Sequence, residues 1–305
     1  MWIFNKLYFY LASIEELKKP LQRRNCYLIS IKIIKRLCVY GIIFIFFLKY
    51  KFFKRKLINT EGNVVISMTS FPDRIKTVWL TIMSIGNQKV KPSRILLYLS
   101  LEEFPGGIND IPSTLKKLME YGLEVKFVEN NIRSYKKFYY ALQDLKNSII
   151  VTIDDDLIYP EDTIYRLLEV YRKFPNCIIA NRAVRILKNS EGVLPYECWE
   201  RVIYPGCDSS FVAIGCGGIL YPPFFKPFDL FKENLFMELA PYADDLWLKV
   251  IEFKNNVNVA TGDFFAHPMV IPSTKKSALM RRNVGEEKLN DFQFRRLCEY
   301  FDIKM

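Results

Sequence analysis

Histidine occurs once in 305 residues, at His267, and that scarcity removes a good deal of chemistry. A His-rich metal centre has no donor set here, and a Ser-His-Asp triad would rest on that one residue. Paired cysteines are missing too. Cys26, Cys38, Cys177, Cys198, Cys207, Cys216 and Cys298 are odd in number, widely scattered and without CxxC spacing. This pattern points to reduced thiols in a cytosolic compartment rather than to a disulfide framework or a zinc cage. Internal repeats and low-complexity linkers are absent. Long hydrophobic runs are short of what a bilayer needs: Leu37 to Leu48 makes twelve residues. As a helix that run reaches about 18 Å, against roughly 30 Å of hydrocarbon.

Half of the residues are apolar, so the chain can bury a sizeable core. Its net charge of +11 is uneven. Residues 1–58 hold 13 Lys and Arg against 2 Glu, which accounts for all of it, and residues 59–305 balance 31 basic with 31 acidic side chains. A neutral main body argues against nucleic-acid binding. In the basic arm, Lys32, Lys35 and Arg36 precede the apolar run, and Lys49, Lys51, Lys54, Arg55 and Lys56 follow it. Apolar residues between basic flanks predict an arm that associates with an anionic membrane surface, peripherally or by shallow insertion. With the reduced thiols, that places the protein at the cytoplasmic face of the inner (plasma) membrane. A helical lid packed on the domain is the competing reading. The run starts late and no small-residue cleavage site follows it, unlike a secretory signal.

From Asn63 onward strand-like and helix-like segments alternate. "NVVISMTS", "SRILLYLS", "EVKFVE", "SIIVTI" and "CIIAN" read as strands, with helical spacing in "RIKTVWLTIMSIGNQ", "STLKKLMEYG", "YKKFYYALQDLK" and "PEDTIYRLLEVYRKF". The order predicts an α/β domain over 59–305 whose mostly parallel sheet is flanked by helices on both faces. Residues 59–182 form its nucleotide-binding half. Past about residue 182 the pattern turns irregular and rich in Gly, Pro and aromatics, as expected of a substrate-side half over 183–305. "VTIDDDLIYP" puts Asp154, Asp155 and Asp156 at the carboxyl end of the fourth strand, where ligands of such sheets bind. Three adjacent carboxylates call for a divalent cation with oxygen ligands, Mg2+ or Mn2+, itself able to hold phosphate. The plainer alternative is a helix start decorated with acids before Pro160.

These residues resemble the GT-A-fold, nucleotide-sugar-dependent glycosyltransferases, of the bacterial capsule and lipopolysaccharide-assembly type. "VTIDDD" is similar to their DxD motif, supported in order by "VISMTSFPDRI", "NIRSYKKFYYAL", "GCGGILYPP" and "APYADDLWLK". The resemblance covers about residues 63–300. It implies a GT-A-like (Rossmann-like) domain and a metal-dependent, hexosyltransferase-type transfer in cell-surface polysaccharide synthesis. The donor would be a nucleotide-sugar and the acceptor a glycan or lipid-linked glycan. By the same resemblance Asp154 approaches the donor's ribose or the metal shell, Asp156 ligates the metal, and Asp155 lies between them. Thr69, Ser70 and Arg74 meet the nucleobase. Many inverting relatives carry Glu-Asp where this chain has Asp244-Asp245. Asp245 takes the role of general base and Asp244 supports it.

Other readings accompany these assignments. Arg133, Lys136 and Lys137 follow the third strand and could reach donor phosphates, or form a solvated basic helix face. Thr69, Ser70 and Arg74 also suit a turn and helix cap around Pro72 and Asp73. Gly215, Gly217 and Gly218 allow close approach of a ligand to the backbone, with a strand bulge as the alternative. His267 is either a third metal ligand or an ordinary hydrogen-bonded histidine. Asn283, Asn290 and Asp291 of "RRNVGEEKLNDFQ" shape helix ends. Two other functions compete: a metal-dependent phosphatase with a DxD nucleophile, and a non-enzymatic membrane scaffold. The first usually opens its fold with that motif, whereas three strands precede it here. The second leaves the aspartates unexplained.

Overall fold

The computed structural model describes residues 2–17, 26–52, 54–190, 192–267, 269–277, 283 and 288–303. Its centre is an eight-stranded sheet. Four strands, β1 (Val64–Thr69), β2 (Arg94–Ser100), β3 (Leu123–Val128) and β4 (Ile149–Thr152), lie parallel in the order β3-β2-β1-β4. Beyond β4 come β12 (Ile219–Tyr221), β5 (Ile178–Ala180), β13 (Val259–Thr261) and β10 (Gly206–Asp208). β12 runs antiparallel to β4 and β5, and β10 antiparallel to β13, so six of the eight strands share a direction. A second sheet joins β6 (Ala183–Arg185), β9 (Glu200–Val202) and β11 (Phe211–Ala213), and β7 (Lys188–Asn189) pairs with β8 (Gly192–Val193).

Helices cover both faces, which explains why the central strands read as nearly unbroken apolar runs. Side chains alternate along each strand between two cores: Ile66, Leu97, Val151, Ile179 and Leu220 face one, and Val65, Leu96, Ile150, Ile178 and Ile219 the other. The first core is closed by α3 (Val78–Gly86), α4 (Ser113–Met119) and α6 (Thr163–Lys173). The second is closed by α5 (Lys136–Asp144), α7 (Glu233–Leu239), α8 (Asp244–Lys254) and a final helix, α9 (Leu289–Tyr300).

The basic arm folds as an antiparallel helical hairpin of α1 (Trp2–Leu17) and α2 (Cys26–Lys51). Its inner residues Tyr8, Ala12, Val39, Ile42 and Phe46 belong to the first core. The arm is therefore partly the packed lid that was the competing reading. No helix among the described residues is long and apolar enough to cross a membrane. Lys18, Lys19, Arg23 and Arg24 of the arm, and Arg281, Arg282 and residues 284–287 near the end, lie outside the described residues.

In the order β3-β2-β1-β4 the chain builds outward from β1 on one side and then crosses to the other. The reversal leaves a crevice at the carboxyl ends of β1 and β4, where ligands of doubly wound sheets bind. Because β12 is antiparallel to β4, its entering segment, Gly215 to Gly218, arrives at the same rim.

Candidate active site

Three aspartates follow β4 into this crevice, each with a different partner. Asp155 is the most enclosed. Its carboxylate accepts from Ser70 Oγ at 2.5 Å and Arg74 Nη1 at 2.8 Å, both from the turn after β1. Arg74 Nη1 also lies 3.2 Å from Asp156 Oδ2. Ser70 and Arg74, expected at the nucleobase, thus clamp the aspartate loop to β1. The turn foreseen there is present, since Arg74 N–H and Ile75 N–H both donate to Phe71 O, but the cap is not: α3 begins only at Val78, and Thr77 before it makes no side-chain cap hydrogen bond. The Asp155 backbone is tied in turn, Thr81 Oγ1 donating to its carbonyl at 2.9 Å. Thr69 is occupied locally, its hydroxyl donating to Tyr98 O at 2.8 Å.

Asp154 N–H donates to Tyr159 Oη at 2.8 Å, and its Oδ1 lies 3.0 Å from Lys137 Nζ. Lys137, on the first turn of α5, also reaches Asp244 Oδ2 at 2.9 Å. Asp244 Oδ1 accepts from Ser134 Oγ at 2.9 Å. Asp245 is held on one side only: Gly215 N–H donates to its Oδ2 at 3.2 Å, and its buried Oδ1 meets no donor among the described residues. Both aspartates open α8, where the helix dipole favours negative charge.

Five carboxylates therefore converge, Asp154, Asp155, Asp156, Asp244 and Asp245, and among the described residues Arg74 and Lys137 are the cations in salt-bridge contact. The electrostatics follow. Burial pushes Asp156 up to about 7, only partly opposed by Arg74, with Asp154 and Asp155 adding to the rise. Burial, then the Asp244 charge, raises Asp245 to about 8. Asp155 is raised by burial against the pull of Arg74 and Ser70. For Lys137 burial works against the charge, but Asp154, Asp244 and Asp245 outweigh it and hold the ammonium well above its usual range.

Gly215 borders this cluster closely. A Cβ there would fall 2.9 Å from Lys137 Nζ, 3.3 Å from Asp154 Oδ1 and 3.4 Å from Asp245 Oδ1. Gly217 and Gly218 face elsewhere. They pack on the chain leaving β5, where Asn181 Nδ2 donates to Gly217 O and Asn181 N–H to Gly218 O, and Gly218 takes φ +82°.

Two cations expected near donor phosphates are engaged outside the carboxylate cluster. Lys136 Nζ is buried against Glu103 Oε2 at 2.9 Å and Asn131 Oδ1 at 2.7 Å. Arg133 donates to Pro241 O at 3.3 Å and lies over the Tyr242 ring at 4.1 Å. Adjacent helix positions diverge by about 100°, so Lys136 and Lys137 cannot serve one site. His267 rests against α1: its Nε2 is 3.4 Å from Ser13 Oγ, and its ring is 6.0 Å from that of Phe9. Near the chain's end, Asp291 Oδ1 accepts from Tyr196 N–H at 2.6 Å and Asn283 Nδ2 donates to Tyr242 O at 2.7 Å.

Ser134 and Tyr159 are contributors that spacing did not single out. Ser134 lies inside the quoted stretch "NIRSYKKFYYAL". Tyr159 stands five residues after Asp154, where its hydroxyl accepts the Asp154 N–H, and no local spacing rule marks a tyrosine for that role.

Among the described residues no group of three His, Cys, Asp or Glu side chains forms a ready-made metal cage. Mg2+ commonly binds through one or two carboxylates, waters and substrate phosphate instead. Asp154 and Asp156, in a cluster with surplus negative charge, fit that donor pattern.

No family model matches the chain, and no curated protein matches it. Solved structures similar to it include TarS 1–349 from S. aureus, at 12% identity and a TM-score of 0.40, covering 78% of this chain and 72% of that one. HddC from Yersinia pseudotuberculosis is 14% identical with a TM-score of 0.39, covering 72% of this chain and 98% of its own. A 4-diphosphocytidyl-2C-methyl-D-erythritol synthase is 13% identical with a TM-score of 0.40, over 76% and 99%. Likeness at this level identifies no activity, and the function must be read from the crevice itself.

Proposed function

We propose that this chain is a divalent-cation-dependent glycosyltransferase that moves a sugar from a nucleotide-sugar to a glycan or lipid-linked glycan. One observation carries the reading: among the described residues five carboxylates meet two cations at the crevice where the sheet order reverses, leaving negative charge for a bound cation to balance. Asp154 and Asp156 would hold Mg2+ or Mn2+, which when bound offsets charge on the departing nucleoside diphosphate.

The chain's own groups divide the remaining work. Ser70 and Arg74 fix Asp155 and so hold the loop carrying Asp154 and Asp156 in one conformation. Lys137 spans the donor-side Asp154 and the acceptor-side Asp244. Ser134 and Lys137 brace Asp244. Asp245 is the base: the acceptor hydroxyl oxygen bonds to the anomeric carbon, the bond to the diphosphate oxygen breaks, and the hydroxyl proton passes to Asp245. A value near 8 suits a base working near neutral pH, and Oδ1, which has no hydrogen-bond partner among the described residues, has lone pairs free to take that proton.

Thermal denaturation with UDP, GDP, CMP and dTDP sugars, with and without Mn2+, tests the donor side, because a ligand that binds only the folded state raises the melting temperature. Asp156→Asn should lose the Mn2+-dependent shift. Asp245→Asn should keep it and lose most transfer. An unchanged shift in the first variant, or wild-type transfer in the second, would remove the corresponding assignment.

A further inference from the structure

The outer face of the helical hairpin has no partner among the described residues, and its chemistry is that of a lipid interface. Along α2 two apolar stripes run on opposite sides. Ile31, Val39, Ile42 and Phe46 are buried. Ile33, Leu37, Tyr40, Phe44 and Phe47, at spacings of four and three, are exposed. On α1, Ile3, Leu7 and Tyr10 repeat the exposed pattern. Side chains of this size at about half exposure leave on the order of several hundred Å2 of apolar surface on one element, at or above the largest patch of an ordinary monomer.

Charge surrounds that face and is of one sign. No Asp or Glu stands between Glu16 and Glu61. Lys32 and Arg36 are exposed along α2, and Lys49, Lys51, Lys54, Arg55 and Lys56 are exposed at and beyond its end. Lys35 is on the inner side with Val39 and Ile42 and pairs with Glu15 of α1 at 2.7 Å, whereas Arg36 borders the exposed stripe and donates to Tyr40 Oη at 3.3 Å.

We infer that the α1–α2 hairpin lies in the surface of an anionic lipid bilayer, with the stripe from Ile33 to Phe47 entering the boundary between headgroups and acyl chains. Cysteines free of disulfides among the described residues suit the cytoplasmic side of that membrane. Cations on both flanks find phosphate headgroups there. A second copy of the chain would bring like charges together instead. The hairpin's inner side touches the rim of the crevice: Phe9 packs 5.7 Å from the Phe264 ring, and a narrow gap there is lined by Phe9, Leu157, Tyr159, Cys216 and His267. Binding would therefore hold the crevice beside lipid. The lipid contact stands apart from the transferase reading, since its residues lie outside the carboxylate cluster.

Flotation of the full-length chain with vesicles tests it, using phosphatidylcholine alone or mixed with phosphatidylglycerol. Binding should favour the mixed vesicles and weaken as salt rises. Leu37→Ser, Phe44→Ser and Phe47→Ser together should abolish flotation, each losing about tenfold in partitioning, with the melting temperature unchanged. Neutralising Lys51, Lys54, Arg55 and Lys56 to Gln should remove the preference for phosphatidylglycerol. Undiminished flotation of the serine variant overturns the inference. So does lipid-free dimerisation that the same serines abolish, or retention of the wild type through carbonate extraction, which would mean a true span.

Discussion

Among the described residues of the crevice, five carboxylates and two cations sit largely out of water, while on the outer side of α2 Leu37, Phe44 and Phe47 stand in it. Each region does what the other avoids, and each does it at a cost in free energy. Buried charge is costly unless it is paired and hydrogen-bonded, and exposed apolar surface gains nothing from folding. Neither arrangement helps the chain to fold. Both make sense as surfaces that meet something from outside the chain, polar and multiply charged in one case, apolar and edged with negative charge in the other.

The contrast can be broken most severely at Lys137, which lies between Asp154 and Asp244. Lys137→Met leaves buried carboxylates uncompensated and is expected to cost about 3–5 kcal/mol. Thermal denaturation should register roughly 10 °C, together with loss of nucleotide-dependent stabilisation. A smaller loss at the same position would mean that water already reaches the cluster.

Phe46, 1% exposed, sits on the inner stripe of α2. Phe46→Ala should cost about 3 kcal/mol in urea unfolding through the cavity it leaves. A value near zero would detach the hairpin from the core.

The pH dependence of the ligand-free protein sharpens the crevice side. Asp156 at about 7 and Asp245 at about 8 are raised above the unfolded value near 3.9, burial being the main cause. A raised carboxyl means that the folded state keeps its proton longer. Its contribution to stability is full below about pH 4 and declines as pH rises toward 7–8. The melting temperature of the wild type relative to an Asp156→Asn, Asp245→Asn double variant should therefore fall by several degrees between pH 5 and pH 8. A difference that stays flat or rises would contradict the burial of these groups.

The smallest effect belongs to the outer stripe. Phe44 is 62% exposed, and Phe44→Ala should change stability in lipid-free buffer by no more than about 0.5 kcal/mol. Set beside Phe46→Ala, two positions away on the same helix, it measures the difference between the faces directly.

Much of the architecture was legible before the structure. β1 to β5 and α3 to α6 match the segments expected of them, β3 alone starting one residue early at Leu123, because strands buried on both faces carry dense apolar runs and the helices between them keep their 3.6-residue spacing. The strands from β6 to β13 were not legible. Two or three residues are too few to show a period, and their pairing depends on partners distant in sequence. α1 was not foreseen either, because its apolar residues spread over both an inner and an outer side. In the crevice, the positions of Asp154 to Asp156 and of Asp244-Asp245 could be read from the strand end and the helix start. Which of Lys136 and Lys137 faces them could not. That choice turns on the rotation of α5 about its axis, fixed by packing of Phe138, Ala141 and Leu142 rather than by anything local.

The contacts that complete the crevice join residues far apart along the chain. Ser70 and Asp155 are separated by 85 positions, Ser134 and Asp244 by 110. Such closures come late in folding, after the entropy of long loops has been lost. During synthesis Lys137 can find Asp154, only 17 residues on, long before Asp244 is made. A chain halted between them would hold its lysine half-compensated, so the half over residues 59–182 is expected to lack the stability of an independent unit. Completion of the crevice thus coincides with completion of the fold, and an unfinished chain would not present the assembled acid cluster.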